Sequence, residues 1–181
     1  MNLPPFDEAR GMLNVIIETP KGCRNKYNYD SDLKLFRLKK VLPAGAVFPF
    51  DFGFVPSTLG DDGDPLDVLL LMEEPAFPGC LVRAQLIGAL QAKQTQNGRT
   101  ERNDRLIATA EKMQSFCHIS TLTGLNPDLL EQIEHFFVSY NTVAGKTFKV
   151  LRRSGPEVAK ELVLHGQRRF LAAKEQKISE E

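Results

Sequence analysis

A chain of 181 residues, 42% hydrophobic and 25% charged, has a globular composition and the length of one domain (residues 1–181). Its 23 Lys and Arg balance 23 Asp and Glu, so no global field draws it to nucleic acid or an anionic membrane, and any anion site must be local. No apolar run approaches the roughly 18 residues of a membrane span, and the opening MNLPPFDEAR lacks the basic-then-apolar pattern of a secretory signal.

The predicted elements fall in two sets. Strands come first: residues 13–19, rich in β-branched side chains; 33–40, apolar and basic without a helical stripe; 66–72, a short apolar run suited to a buried strand; 81–92, where Val82, Ala84, Leu86, Gly88, Leu90 and Ala92 share one parity; and 105–110. After Asn126-Pro127 the period changes. Leu129, Leu130, Ile133, Phe136, Phe137 and Tyr140 recur at three- and four-residue steps, one helical face with Asn126 as cap. A short strand over 147–151 follows, and Ser154-Gly-Pro-Glu157 fits a capping box opening a second helix through Val158, Leu162 and Phe170, with a charged, fraying tail from Lys174. Strands first and helices later predict an α+β fold, a closed or partly closed barrel flanked by two main helices. Cys23, Cys80 and Cys117 are odd in number and show no CxxC spacing, as expected of reduced thiols in the cytoplasm.

The densest chemistry lies in Leu59-Gly-Asp-Asp-Gly-Asp-Pro-Leu-Asp-Val68, where Asp61, Asp62, Asp64 and Asp67 fall within seven residues. Carboxylates this close repel unless something positive sits among them, and a hard divalent cation prefers such oxygens. A solvated turn is the plain alternative, since Asp, Gly and Pro all form turns. The apolar run that follows at once places the acids at the mouth of a core element. An EF-hand is excluded, because Leu66 and Asp67 stand where its loop needs an acid and a glycine.

Asp62-Gly63-Asp64-Pro65-Leu66-Asp67 resembles the signature of soluble (family I) inorganic pyrophosphatases, an Asp-x-Asp-Pro-apolar-Asp pattern. Ile17-Glu18-Thr19-Pro20 with Lys26-Tyr27, the stretch Phe48 to Phe54, and His135-Phe136-Phe137 through Tyr140 resemble further stretches of that family, in the same order. The resemblance implies an OB-like barrel of about five strands and Mg2+-dependent hydrolysis of pyrophosphate to two phosphates, with Mn2+ as a substitute ion. It implies that Asp62, Asp64 and Asp67 hold metal, that Asp64 accepts the water's proton, and that Lys26, Lys40, Arg105 and Tyr140 contact substrate, Lys26 also assisting catalysis. A cytoplasmic homo-oligomer, a hexamer in bacterial relatives, is implied as well.

The departures mark a divergent member. Asn28 stands where the family has a glutamate, Lys40 where it has an arginine, Phe52 where it has a tyrosine, and Asn141 where it has a lysine. The loop before Arg105 lacks two metal-binding aspartates: Asn103 aligns with one, Asp104 is one residue off, Glu101 is another acid, and Arg99, Arg102 and Arg105 suggest guanidinium groups in place of metal. The alternative is therefore a non-catalytic binder of phosphate or nucleotide derived from a pyrophosphatase. A third reading, a nucleic-acid module, rests on the alternation of Phe48, Phe50, Phe52 and Phe54 as a stacking platform. The balanced charge argues against it.

Overall fold

The computed structural model describes residues 3–111 and 113–179. The strands are β1 (Phe6–Asp7), β2 (Met12–Thr19), β3 (Asn25–Asp30), β4 (Leu35–Val41), β5 (Asp51–Phe54), β6 (Asp67–Leu71), β7 (Leu81–Gln96), β8 (Arg99–Arg102), β9 (Arg105–Ala110) and β10 (Thr147–Ser154). Helix α1 (Pro127–Val143) precedes β10, and α2 (Pro156–Ser179) follows it. Strands β2, β5, β6, β9 and β7 pair in that order, and β7 returns to β2, which closes a ring. Strands β3 and β4 form a separate two-stranded ribbon. Within the ring only β6 and β9 run parallel, with Val68 opposite Leu106. The α+β ring with two helices is the architecture the sequence predicts.

The period-2 geometry of strands divides the core between the helices. Leu69, Leu71 and Ile107 pack with Leu130, Ile133 and Phe137 of α1. The alternate residues Val68, Leu70, Leu106 and Ala108 pack with Ala159 and Val163 of α2. Each large side chain so buried is worth about 1.5–3 kcal/mol. Strand β7 serves β2, β9 and β10 by bending at Gly88, where the register against β9 shifts. A Cβ at Gly88 would lie 2.5 Å from both the Ser154 carbonyl oxygen and Leu122, so the crossing needs glycine.

Three expectations need correction. Strands β3 and β5 were not predicted: Asn-Lys-Tyr-Asn-Tyr-Asp has no buried face to write an alternation, and Asp-Phe-Gly-Phe is buried on both faces. The capping box at Ser154 does not form, because Ser154 ends β10 and its buried hydroxyl makes no hydrogen bond. Helix α2 continues past Lys174 to Ser179. Asn126 does cap α1, accepting the Asp128 N–H at 2.8 Å, with Pro127 in the first turn.

Candidate active site

The acidic stretch becomes a tight loop between β5 and β6. Thr58 Oγ1 donates to the Val55 carbonyl (2.6 Å) and accepts the Leu66 N–H (3.0 Å), fastening the loop's two ends together. The Gly60 N–H reaches the Asp64 carbonyl at 2.8 Å, and Gly63 takes φ +84°, a left-handed turn that glycine adopts freely. Helix α2 rests directly on this loop. The Leu59 N–H bonds the Gly166 carbonyl at 3.0 Å, and a Cβ on Gly166 would lie 2.9 Å from Leu66 Cδ1. Asp61 is drawn outward to Arg169 on α2. Of the four acids, Asp62, Asp64 and Asp67 are left to line one cavity of about 450 Å³.

The cations of this cavity come from several strands. Arg105 opens β9 as Asp67 opens β6, and the parallel register of those strands sets the two side by side. Arg105 Nη1 lies 2.7 Å from Asp67 Oδ2, donates to Asn103 Oδ1, and sits in a side chain only 5% exposed. Its guanidinium stacks between Phe137 and Phe148, at 5.5 and 5.3 Å from the ring centres. Lys26 and Lys40 pair across the ribbon. Lys26 Nζ lies 4.4 Å from the Phe52 ring centre, and Lys40 Nζ lies 4.0 Å from that of Tyr140. Lys26, Lys40, Arg105, Phe52, Phe137 and Tyr140 line the same cavity as Phe48. The phenylalanines of residues 48–54 are buried in the core, so they offer no stacking platform to a nucleic acid.

The electrostatics follow from crowding and burial. Burial pushes the Asp62 carboxyl up, against the pull of the Asp64 N–H, and neighbouring Asp67 and Asp64 push it further. Burial lowers the Lys26 ammonium, while Asp67 and Glu18 hold it up. Lys40 is lowered by burial and then by its neighbours Lys26, Lys146 and Lys39. Glu18, which accepts the Tyr29 N–H at 2.8 Å, is pushed up to about 7 by burial, although Lys26 opposes the shift. Tyr140 is raised, chiefly by burial.

Some lining residues carried no usable signal in the sequence. A register shift beside Lys26 makes Lys39 the extra residue of the ribbon, and both Lys39 and Lys40 reach the cavity. Lys146 follows the turn that ends α1, and Gln94 enters from β7. The three-arginine idea needs correction: only Arg105 lines this cavity. Arg99 pairs with Glu101 (2.7 Å) and Arg102 with Asp104 (2.8 Å). Asp104 also accepts the Ala92 N–H at 2.9 Å and lines a smaller cavity behind the acidic loop, with Arg102 and His165. Glu101 and Asn141 both line the main cavity, and the Asn141 amide nitrogen donates to the Phe137 carbonyl at 2.8 Å.

With acids and cations gathered in one cavity, the comparison with known proteins is decisive. The Inorganic pyrophosphatase family model matches residues 15–171. The chain belongs to the inorganic pyrophosphatase family. An inorganic pyrophosphatase of Nostoc sp. is 37% identical over 159 residues, which are 88% of this chain and 92% of that protein. One from Methanosarcina acetivorans is 36% identical over 90% of this chain and 94% of its own. The crystal structure of inorganic pyrophosphatase from Thermus thermophilus superposes with a TM-score of 0.84 at 34% identity, covering 93% of this chain and 96% of that one. Inorganic pyrophosphatases of this kind are metal-dependent and act on a phosphate substrate. Among the described residues no helix is long and apolar enough to cross a membrane.

The donor set fits a hard cation in kind, being carboxylate oxygens beside water-accessible space. Among the described residues no three acidic, imidazole or thiol groups already converge on one point. Asp62 Oδ1 instead accepts the Asp64 N–H at 3.2 Å, and Asp67 faces Arg105. An ion held here must therefore draw part of its shell from water and phosphate.

Proposed function

We propose that the chain hydrolyses inorganic pyrophosphate to two phosphates with Mg2+, Mn2+ being an effective substitute. The observation that carries this reading is one cavity that gathers Asp62, Asp64 and Asp67 with Lys26, Lys40 and Arg105. Phosphoryl transfer needs positioning and charge neutralisation more than covalent chemistry, and this arrangement provides both. Asp62, Asp64 and Asp67 hold the metal, which when bound lowers the pKa of its water and screens phosphate charge.

The protein's own groups do the rest. Lys26, Lys40 and Arg105 neutralise and orient the phosphate oxygens, Lys26 assisting the departing group from its buried position. The Tyr140 hydroxyl, its ionisation suppressed by burial, donates to a phosphate oxygen. Asp64 lies on the rim of the cavity and takes the proton of the attacking water. The unpaired cysteines Cys23, Cys80 and Cys117 suit a cytoplasmic location, and exposed Leu33, Leu35 and Val41 on the ribbon suit assembly as a homo-oligomer, a hexamer by resemblance.

Phosphate release from pyrophosphate in Mg2+, comparing the parent with Asp64→Asn, tests the reading. The parent should turn over, and the variant should lose at least about a thousandfold, or about 4 kcal/mol of transition-state stabilisation. Binding of pyrophosphate without turnover by the parent would favour the non-catalytic alternative.

A further inference from the structure

A second cavity, of about 660 Å³, adjoins the first and shares Asn28, Asp64 and Asp67 with it. Its chemistry is different. Phe170 and Ala173 enter from the second half of α2, and Tyr29 and Phe54 form another wall with ring centres 6.0 Å apart. The first cavity gathers four lysines and Arg105, whereas Lys174 is the single basic residue among the described walls of the second, beside Glu18 and the two shared aspartates. A further phosphate would meet more acid than base there; an uncharged apolar group would meet rings and a methyl. At the boundary, beside the shared carboxylates of Asp64 and Asp67, stands Asn28, an amide that satisfies both its neighbours when its nitrogen faces the Tyr27 carbonyl (2.9 Å) and its oxygen faces Lys39 Nζ (3.2 Å). Asn28 itself adds no charge where the cavities meet, so a group entering the second stays joined there to phosphates held in the first.

We propose that this second cavity takes the organic group of a diphosphate monoester, an uncharged aromatic or aliphatic substituent. The proposal rests on the hydrolase reading above and extends its substrate class. The step balances without a redox partner. Water oxygen forms a bond to one phosphorus as that phosphorus loses its bond to the bridging oxygen. The bridging oxygen keeps the electron pair and leaves with the other phosphate, and the water's proton passes through Asp64 to solvent. The products are orthophosphate and the organic monophosphate.

The test separates binding from turnover. The phenyl and methyl monoesters of methylenediphosphonate carry the same charge and resist hydrolysis. Titration calorimetry in Mg2+ should show the phenyl ester binding the parent about tenfold more tightly, from the extra apolar area buried. Ala173→Trp, which fills the second cavity, should erase that preference while leaving the kcat/KM for pyrophosphate within about twofold, because Ala173 does not line the first cavity. Phe170→Ala, which removes a wall, should reduce the preference and serves if Ala173→Trp does not fold. Phenyl diphosphate should release orthophosphate with the parent and fail to do so with Ala173→Trp. Equal binding of the two esters by the parent, or a preference that survives both substitutions, would overturn the proposal. Turnover of pyrophosphate without turnover of phenyl diphosphate would overturn it alone; absence of both turnovers would sink the hydrolase reading, leaving the calorimetry to decide the cavity.

Discussion

The two walls of the main cavity are built on different foundations. Asp67 and Arg105 stand at the openings of two buried parallel strands, where Val68, Leu69, Leu106 and Ile107 are at most 1% exposed. Lys26 and Lys40 stand on the β3–β4 ribbon, whose outer residues Leu35, Leu38 and Val41 are all more than half exposed. Core register fixes the first wall, and a two-stranded ribbon of this kind has little independent stability. The wall of Asp67 and Arg105 is thus tied to the core, and the ribbon wall of Lys26 and Lys40 is the less anchored of the two.

Substitutions at the two walls should therefore fail differently. Arg105→Met leaves Asp67 without its partner and removes a guanidinium from between two rings. Breaking such a pair costs about 3 kcal/mol, read as a lower midpoint in urea, along with loss of activity. Gly166→Ala should cost about 1–3 kcal/mol by pushing α2 off the acidic loop, with a fall in activity that tracks the loop rather than the ribbon. Lys40→Met should change stability by less than about 0.5 kcal/mol yet raise the KM for pyrophosphate at least about tenfold. Equal destabilisation by Arg105→Met and Lys40→Met would erase the distinction between the walls.

Glu18 sharpens the comparison through pH. Its folded pKa, about 7, is raised from 4.5 by burial. A raised carboxyl favours folding fully below pH 4.5, and that advantage is lost as pH rises through 7. Above that range its burial costs up to roughly 3 kcal/mol. Glu18→Gln keeps an acceptor for the Tyr29 N–H, so it should raise the thermal midpoint by several degrees at pH 8 and leave it unchanged at pH 4. An equal shift at both pH values would mean that ionisation of Glu18 is not the cause.

What the sequence made legible is what packing dictates. The apolar run of β6 and the stripe of α1 read correctly because one buried face writes a period into the chain. The Asp62–Asp67 spacing pointed to the acid wall because carboxylates so crowded demand a counter-charge. Half of the ribbon stayed hidden: the strand expected over 33–40 is β4, but its partner Asn25–Asp30 is polar and half-buried and carries no hydrophobic pattern. Lys39 and Lys146 were missed for the same reason, since a bulge and a helix-ending turn bring them in. The arginines of residues 99–105 misled because charge content does not reveal direction: two of the three are spent on neighbouring acids.

The most direct test of the proposed joint metal and phosphate site is anomalous diffraction from crystals soaked in Mn2+ and methylenediphosphonate. The account predicts manganese peaks ligated by Asp62, Asp64 and Asp67, with the diphosphonate oxygens turned toward Lys26, Lys40 and Arg105. Manganese bound away from those aspartates, or a diphosphonate seated outside the cavity that Arg105 lines, would contradict it.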